Sequence, residues 1–308
     1  MTMLSRVAEN IYWMARYIER AENTARLVNV NGNLLLDLPR HVRLGWEPLL
    51  DISGSREHFA ELYHEPDERS VVRFMVSNQN NPGSILSSLN QARENARTIR
   101  DIIPREAWEQ INELYLRARG EANRVLSRSG RFEYLRHVIL GAQTITGLLA
   151  GTMNHDEGYD FLRMGRNLER ADMTTRIIDV RSATLLSETH EDLTPFENIQ
   201  WVGVLKSLTG YQMYRRTARI RVRRPDVLRF LFQESVFPRS VAHATGEVEA
   251  CLAHLPRNEK PLRTVGTLRR KVQRVRPAGL EQAQLHDFID DLQAGLARVH
   301  NSIAATYF

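Results

Sequence analysis

The chain has 308 residues, 42% of them hydrophobic and 26% charged, a balance that excludes a disordered or collagen-like polypeptide. Its only cysteine is Cys251, which excludes an intrachain disulfide and a thiolate metal cluster and suits a reducing cytoplasm. The formal net charge of +5 is unevenly spread: residues 1–200 carry 24 basic and 28 acidic side chains, residues 201–308 carry 18 and 9.

Apolar residues recur at helical spacing from Leu4 through Val7, Ala8, Ile11, Met14, Ile18, Ala21, Ala25 and Val28, which predicts an amphipathic helix that ends or kinks at Gly32. MTMLSRVAEN lacks the charged-then-apolar order of a secretion signal, so a cytoplasmic location is expected. PGSILSSLNQARENARTIRDII predicts a second helix after Pro82, and Pro104 restarts the chain into REAWEQINELYLRAR. Two further helices are expected at about 131–152 and 158–186. The run Val138 to Met153 is the most apolar, but it is too short for a membrane span and carries Gln143, Thr144 and Thr146. It reads as a buried helix. Beyond Pro195, shorter helices break at Gly210, Pro225, Pro238, Pro256 and Pro277, before a last helix from Gly279 to Thr306. No sustained alternation suggests a strand, so the fold class is all-α. The expected architecture is one elongated bundle over 1–308, in which 1–195 form the core and the basic helices of 196–308 pack on it.

One segment is written twice. RYIERAENTARLVNV, from Arg16, aligns without a gap on RNLERADMTTRIIDV, from Arg166, with seven of fifteen positions identical. On a helix, Glu19, Glu22 and Arg26 share a stripe at the edge of the apolar face, as do Glu169, Asp172 and Arg176. Arg16, Arg20, Arg166 and Arg170 lie further round. Two such helices packed antiparallel would bring the carboxylates of one copy to the arginines of the other. Two readings stay open: a structural seam of partly buried ion pairs, or a polar groove for a ligand bearing an amine and a carboxylate or phosphate. A di-metal carboxylate site needs Glu-x-x-His pairs, whereas Glu22 and Asp172 occupy the third position after Glu19 and Glu169, so no metal is expected.

Arg93, Arg97 and Arg100 form a second stripe, which carboxylates of the repeated helices or a bound anion would have to answer. In FPRSV, Arg239 and Ser240 stand at a helix start, where Ser240 suits a cap. Cys251 lies on an apolar helix face, a poor place for a catalytic thiol. His155 sits in a loop. Neither GxxxxGK[ST] nor GxGxxG occurs, and no cofactor is expected. Residues 215–224 hold six arginines, and Arg263, Arg269, Arg270, Lys271, Arg274 and Arg276 follow. Such a cluster is most commonly a solvated face; the near absence of interleaved aromatics argues against nucleic acid, and an acidic protein surface is at least as good a partner for this region.

LSRVAENIYWMARYIERAENTAR, NPGSILSSLNQARENARTIRD, FLRMGRNLERADMTTRIIDV and FPRSV, in this order, resemble the Alpha-E family, bacterial all-helical domains named for a Glu-Arg motif. The resemblance covers nearly the whole chain. It implies a shared site of Arg6, Glu9, Asn10, Arg16, Glu19, Arg20, Arg26, Arg93, Asn95, Arg97, Arg163, Arg166, Glu169, Arg170, Asp172, Arg176 and Arg239. Tyr214 to Arg224 is richer in arginine than the family pattern, which suggests a partner of its own. Family members resemble components of systems that also encode a circularly permuted ATP-grasp ligase, a transglutaminase-like peptidase and sometimes a proteasome-like hydrolase. Such a ligase makes an acyl-phosphate and lets an amine attack it.

The expectation is therefore a non-ATPase accessory or substrate-binding component of an ATP-grasp amide-ligase system for peptide synthesis or modification, with an amino acid or peptide as possible ligand. Two alternatives remain. The chain is itself an enzyme using Glu19 or Glu169 as general base, or a helical protein that binds nucleic acid through residues 215–276.

Overall fold

The computed structural model describes residues 3–37, 45–186, 197–218 and 221–308. Among them are fourteen α-helices and no strand: α1 Ser5–Asp37, α2 Glu47–Ser53, α3 Arg56–Leu62, α4 Glu68–Val76, α5 Ile85–Thr98, α6 Arg105–Gly120, α7 Arg128–Thr152, α8 Glu157–Leu186, α9 Glu197–Ser207, α10 Tyr211–Ala218, α11 Arg224–Gln233, α12 Val241–His254, α13 Glu259–Arg274 and α14 Gln282–Tyr307. The all-α expectation holds. Several helices start where a short polar side chain can take an orphan amide. Asp67 accepts from Ser70 N at the head of α4, Ser84 from Ser87 N at α5 and Ser127 from Gly130 N at α7. Ser240 does the same for His243 N at α12, while Glu281 and Gln284 form a capping box on α14.

Three expectations are corrected. First, α1 runs straight through Gly32 to Asp37, a single glycine costing a helix only about 1 kcal/mol. Second, α7 is amphipathic rather than wholly buried. Val138, Ala142, Ile145 and Leu149 face the core while Leu140 is 46% exposed. Third, the last helix begins at Gln282, because Pro277–Gly279 make a 3-10 turn. The short helices α2, α3 and α4 carry too few turns for their periodicity to stand out in sequence.

The longest elements, α1 with 33 residues and α8 with 30, lie side by side. Around this pair, α5, α7 and α9 pack on α1, while α2, α12 and α14 pack on α8. Tyr12, Phe74, Tyr134, Trp201, Tyr214 and Phe232 are among the largest fully buried side chains, in an apolar cluster that runs from Ala8 to Tyr307. The α1–α8 contact demands glycine at one point. A Cβ on Gly165 would stand 2.2 Å from the carbonyl oxygen of Tyr12, so only its hydrogen lets the two backbones approach.

Candidate functional site: the seam between α1 and α8

The two copies of the repeated segment meet face to face. Arg16 Nε and Arg20 Nε donate to Glu169 at 2.8 and 2.6 Å, and Arg20 Nη2 adds a third bond at 3.0 Å. In return, Arg170 Nε donates to Glu19 at 3.0 Å. The helices are parallel, not antiparallel as the motif suggested. Contacts join residues separated by a nearly constant interval, 154 for Met3 and Glu157, 149 for Arg20 and Glu169, and 150 for Asn31 and Arg181. Antiparallel packing would change that separation by two for every residue travelled. The segments α2 to α7 return the chain to the end of the bundle where α1 began, so equal positions of the two copies face each other.

Glu19 and Glu169 are each only 2% exposed. Burial alone would raise their pKa values, but the guanidinium groups around them dominate. Arg16 and Arg20 hold Glu169 down at about 2, and Arg170, Arg239 and Arg166 lower Glu19. Both carboxylates are held charged, which makes them ion-pair anchors and weak proton acceptors.

The two halves then diverge. On the Glu19 side, Arg239 enters from the turn before α12 and is 5% exposed. Its Nη2 donates to Glu22 at 3.0 Å. Its Nη1 forms an ion pair with Glu19 Oε1 at 2.6 Å and donates to Asn23 Oδ1 at 2.5 Å. The hydroxyl of Thr174 donates to the Arg239 carbonyl at 2.8 Å and anchors the turn. Glu22 also takes Arg26 Nε at 2.8 Å.

On the Glu169 side no such arginine enters among the described residues. Asp172 accepts from Arg176 Nε at 2.9 Å, and the Asp172 side chain is 23% exposed where Glu22, its aligned counterpart, is 4%. Here a pocket of about 610 Å³ opens, with Arg20, Thr24, Glu169, Asp172, Met173 and Arg176 on one wall. The α2–α3 junction from Ile52 to Ser55, His58 and the turn from Asn80 to Gly83 form the other. Gly54 has φ +63°, and a Cβ there would meet Arg176 Nη1 at 3.2 Å, so glycine both closes α2 and leaves room for the guanidinium. The carbonyl of Asn80, 2.8 Å from Nε2, and Glu61 raise the pKa of His58.

Other expected site residues lie elsewhere. Arg93 bonds Asn112 and Glu94, Arg97 bonds Glu94, and Arg100 lies 3.9 Å from Asp101. The arginine stripe is thus answered by its own helix, its neighbour and the turn beyond, not by Glu19 or Glu169. Asn95 is half-buried on the same helix. Arg163 ties α8 to α12 through Glu247 at 2.6 Å. Arg6 and Glu9 are exposed in the first turns of α1, where Asn10 donates to the Arg6 carbonyl. Arg166 has a buried Nε with no hydrogen bond, its charge acting on Glu19 and Glu247.

Burial raises the Cys251 thiol to about 12. His155 is exposed and stacks on Tyr159. Asp179, His286 and Asp290 bring ligand-type atoms within 4.8 Å of one another on the surface, an arrangement between α8 and α14 that no spacing within one helix reveals. Asn23, Thr174, Ser55, His58 and Asn81 were not singled out for the seam or its pocket. Thr174, identical to Thr24 in the repeat, and Asn23, beside the Glu-Arg pair, carry a signal in sequence.

A family model described as a predicted alpha-helical domain with a conserved ER motif matches residues 3–308. The chain is 24% identical over 324 aligned residues to uncharacterized proteins of Mycobacterium bovis (strain ATCC BAA-935 / AF2122/97) and of two Mycobacterium tuberculosis strains, CDC 1551 / Oshkosh and ATCC 25618 / H37Rv. These alignments cover 97% of this chain and 35% of each relative, so the chain spans about a third of their length. No solved structure matches.

Proposed function

The chain belongs to the Alpha-E family, and from that premise we propose that it is the substrate-binding or accessory component of an ATP-grasp amide-ligase system, serving peptide synthesis or modification. The observation that carries this reading is the open half of the seam. A pocket of about 610 Å³ presents Asp172 beside Arg20 and Arg176, which suits an amino acid or peptide offering both an ammonium and a carboxylate. The sequence holds no phosphate-cradling loop, so nucleotide chemistry would come from a partner, a circularly permuted ATP-grasp protein. A transglutaminase-like peptidase or a proteasome-like hydrolase would process the product. The curated relatives are nearly three times as long as the matched segment, which fits a unit that works beside another module.

Holding favours this reading over a general-base role. A carboxylate at about 2, as in Glu169, takes up a proton poorly at neutral pH.

The test is affinity purification of the tagged chain from its host, with and without nuclease, followed by mass spectrometry. An ATP-grasp ligase retained after nuclease treatment is the expected result. Recovery of nucleic-acid binders alone, lost on nuclease treatment, would overturn the proposal.

A further inference from the structure

The closed half of the seam shows what the open half lacks. In the closed half, the guanidinium of Arg239 is inserted among Glu19, Glu22 and Asn23. The repeat aligns these residues with Glu169, Asp172 and Met173. All three line the pocket. Each half is also ringed by arginines of the paired helix and by an arginine four residues after its second acid, Arg26 on Glu22 and Arg176 on Asp172. The local charge pattern that accepts Arg239 is therefore present in both. The halves differ in room and in partners, since Glu169 accepts from Arg16 and Arg20 where Glu19 accepts from Arg170, and Met173 stands in place of Asn23. Asp172 is one methylene shorter than Glu22, and its second oxygen, Oδ1, has no hydrogen bond among the described residues.

We propose that the pocket between α2, α3 and α8 binds a guanidinium group, the arginine side chain of a peptide, with Asp172 taking the part that Glu22 plays towards Arg239. Glu169 is already saturated by Arg16 and Arg20, so the acceptor left for the ligand is Asp172. Met173 replaces Asn23 and offers its apolar chain to the methylenes of the incoming side chain. The Ser53 and Ser55 hydroxyls, bonded to each other, the Asn80 carbonyl, bonded to His58, and Asn81 Oδ1, which accepts from Gly83 N, line the opposite wall, and each oxygen keeps a second lone pair for an outer N–H group. A lysine ammonium fits less well, because a planar fork is what bridges two acceptors in the closed half. The inference rests on reading this pocket as the ligand site and adds the class of ligand.

The experiment is a titration followed by the methyl resonance of Met173 in protein labelled at its methionine methyls. The probes are N-acetyl-arginine methylamide, the lysine and citrulline analogues, and N-acetyl-glutamate methylamide. The arginine probe is expected to shift the Met173 signal with an affinity about tenfold or more above that of the uncharged citrulline probe. Asp172→Asn is expected to remove that preference and Asp172→Glu to keep it. Thermal melting checks that both variants fold, as expected for a half-buried side chain on the wall of an open pocket. Equal binding of arginine and citrulline, an unchanged preference in Asp172→Asn, or no response to the arginine probe would each overturn the inference. Binding of the glutamate probe alone would also overturn it while leaving the pocket as a ligand site. Retention of the ATP-grasp partner is read separately, so the two proposals can fail independently.

Discussion

Glu169 shows how one side chain ties stability to pH. Its carboxylate is fully buried, yet it is held at about 2 rather than the ordinary 4.5 by Arg16 and Arg20. A depressed folded-state pKa contributes stability that is complete above the unfolded value and is lost as pH falls towards the folded one. Glu169 therefore contributes roughly 3 kcal/mol at neutral pH. Unfolding titrations should show that contribution disappearing between about pH 5 and pH 2. Glu169→Gln strands the half-buried guanidinium groups of Arg16 and Arg20 and is expected to cost about 3 kcal/mol, read as a fall in Tm. Arg181 is the opposite case. It is 3% exposed, it donates to Asn31 at 2.7 Å, no carboxylate pairs with it among the described residues, and burial lowers its pKa to about 10. A buried charge with a neutral partner gains little, so Asn31→Leu with Arg181→Leu should leave Tm unchanged or raised, whereas Asn31→Ala alone should lower it.

The parallel pairing of α1 and α8 depends on a close approach of two backbones. In an exposed helix, glycine to alanine gains about 1 kcal/mol. At Gly165 the sign should reverse, because the new methyl meets the Tyr12 carbonyl 2.2 Å away and backbone cannot yield as a side chain does. Gly165→Ala is expected to destabilise by about 3 kcal/mol or more. Gly147→Ala and Gly151→Ala on α7, where nothing lies within 4 Å, should stabilise by about 0.5–1 kcal/mol. Chemical denaturation of the three variants checks the contrast. Gly54→Ala combines a positive φ with a crowded Arg176, so it should weaken any ligand held at Asp172 as well as the fold.

At the scale of the molecule, the charge asymmetry becomes a surface. Arg221, Arg263, Arg270, Arg274 and Arg276 are exposed on the C-terminal helices and their approaches, while Arg269 and Lys271 pair with Glu249 and Asp291. Arg221→Glu with Arg270→Glu should leave the unfolding free energy within about 1 kcal/mol of wild type, at about 0.5 kcal/mol per surface substitution. If an acidic protein docks here, the pair should weaken its capture, while an unchanged yield would place the interface elsewhere. No described helix is long and apolar enough to cross a membrane. The helical class, the starts of α5, α6 and α8 and the membership of the seam were legible in sequence. Apolar period, proline and serine act over neighbouring residues, and a repeat displays its charges without any knowledge of the fold. Glu19, Glu169 and their arginines were found this way. The relative direction of α1 and α8, the self-pairing of Arg93, Arg97 and Arg100, and the plug of one half by Arg239 were not. Each depends on which surfaces meet across more than a hundred residues of chain, and local patterns carry no record of that. The sequence alone thus determined an all-helical protein with paired acidic and basic stripes. Only the tertiary structure decided that one stripe closes on an arginine of the chain itself and the other stays open among the described residues, because the intervening elements bring Arg239 to Glu22 and no described arginine in the same way to Asp172.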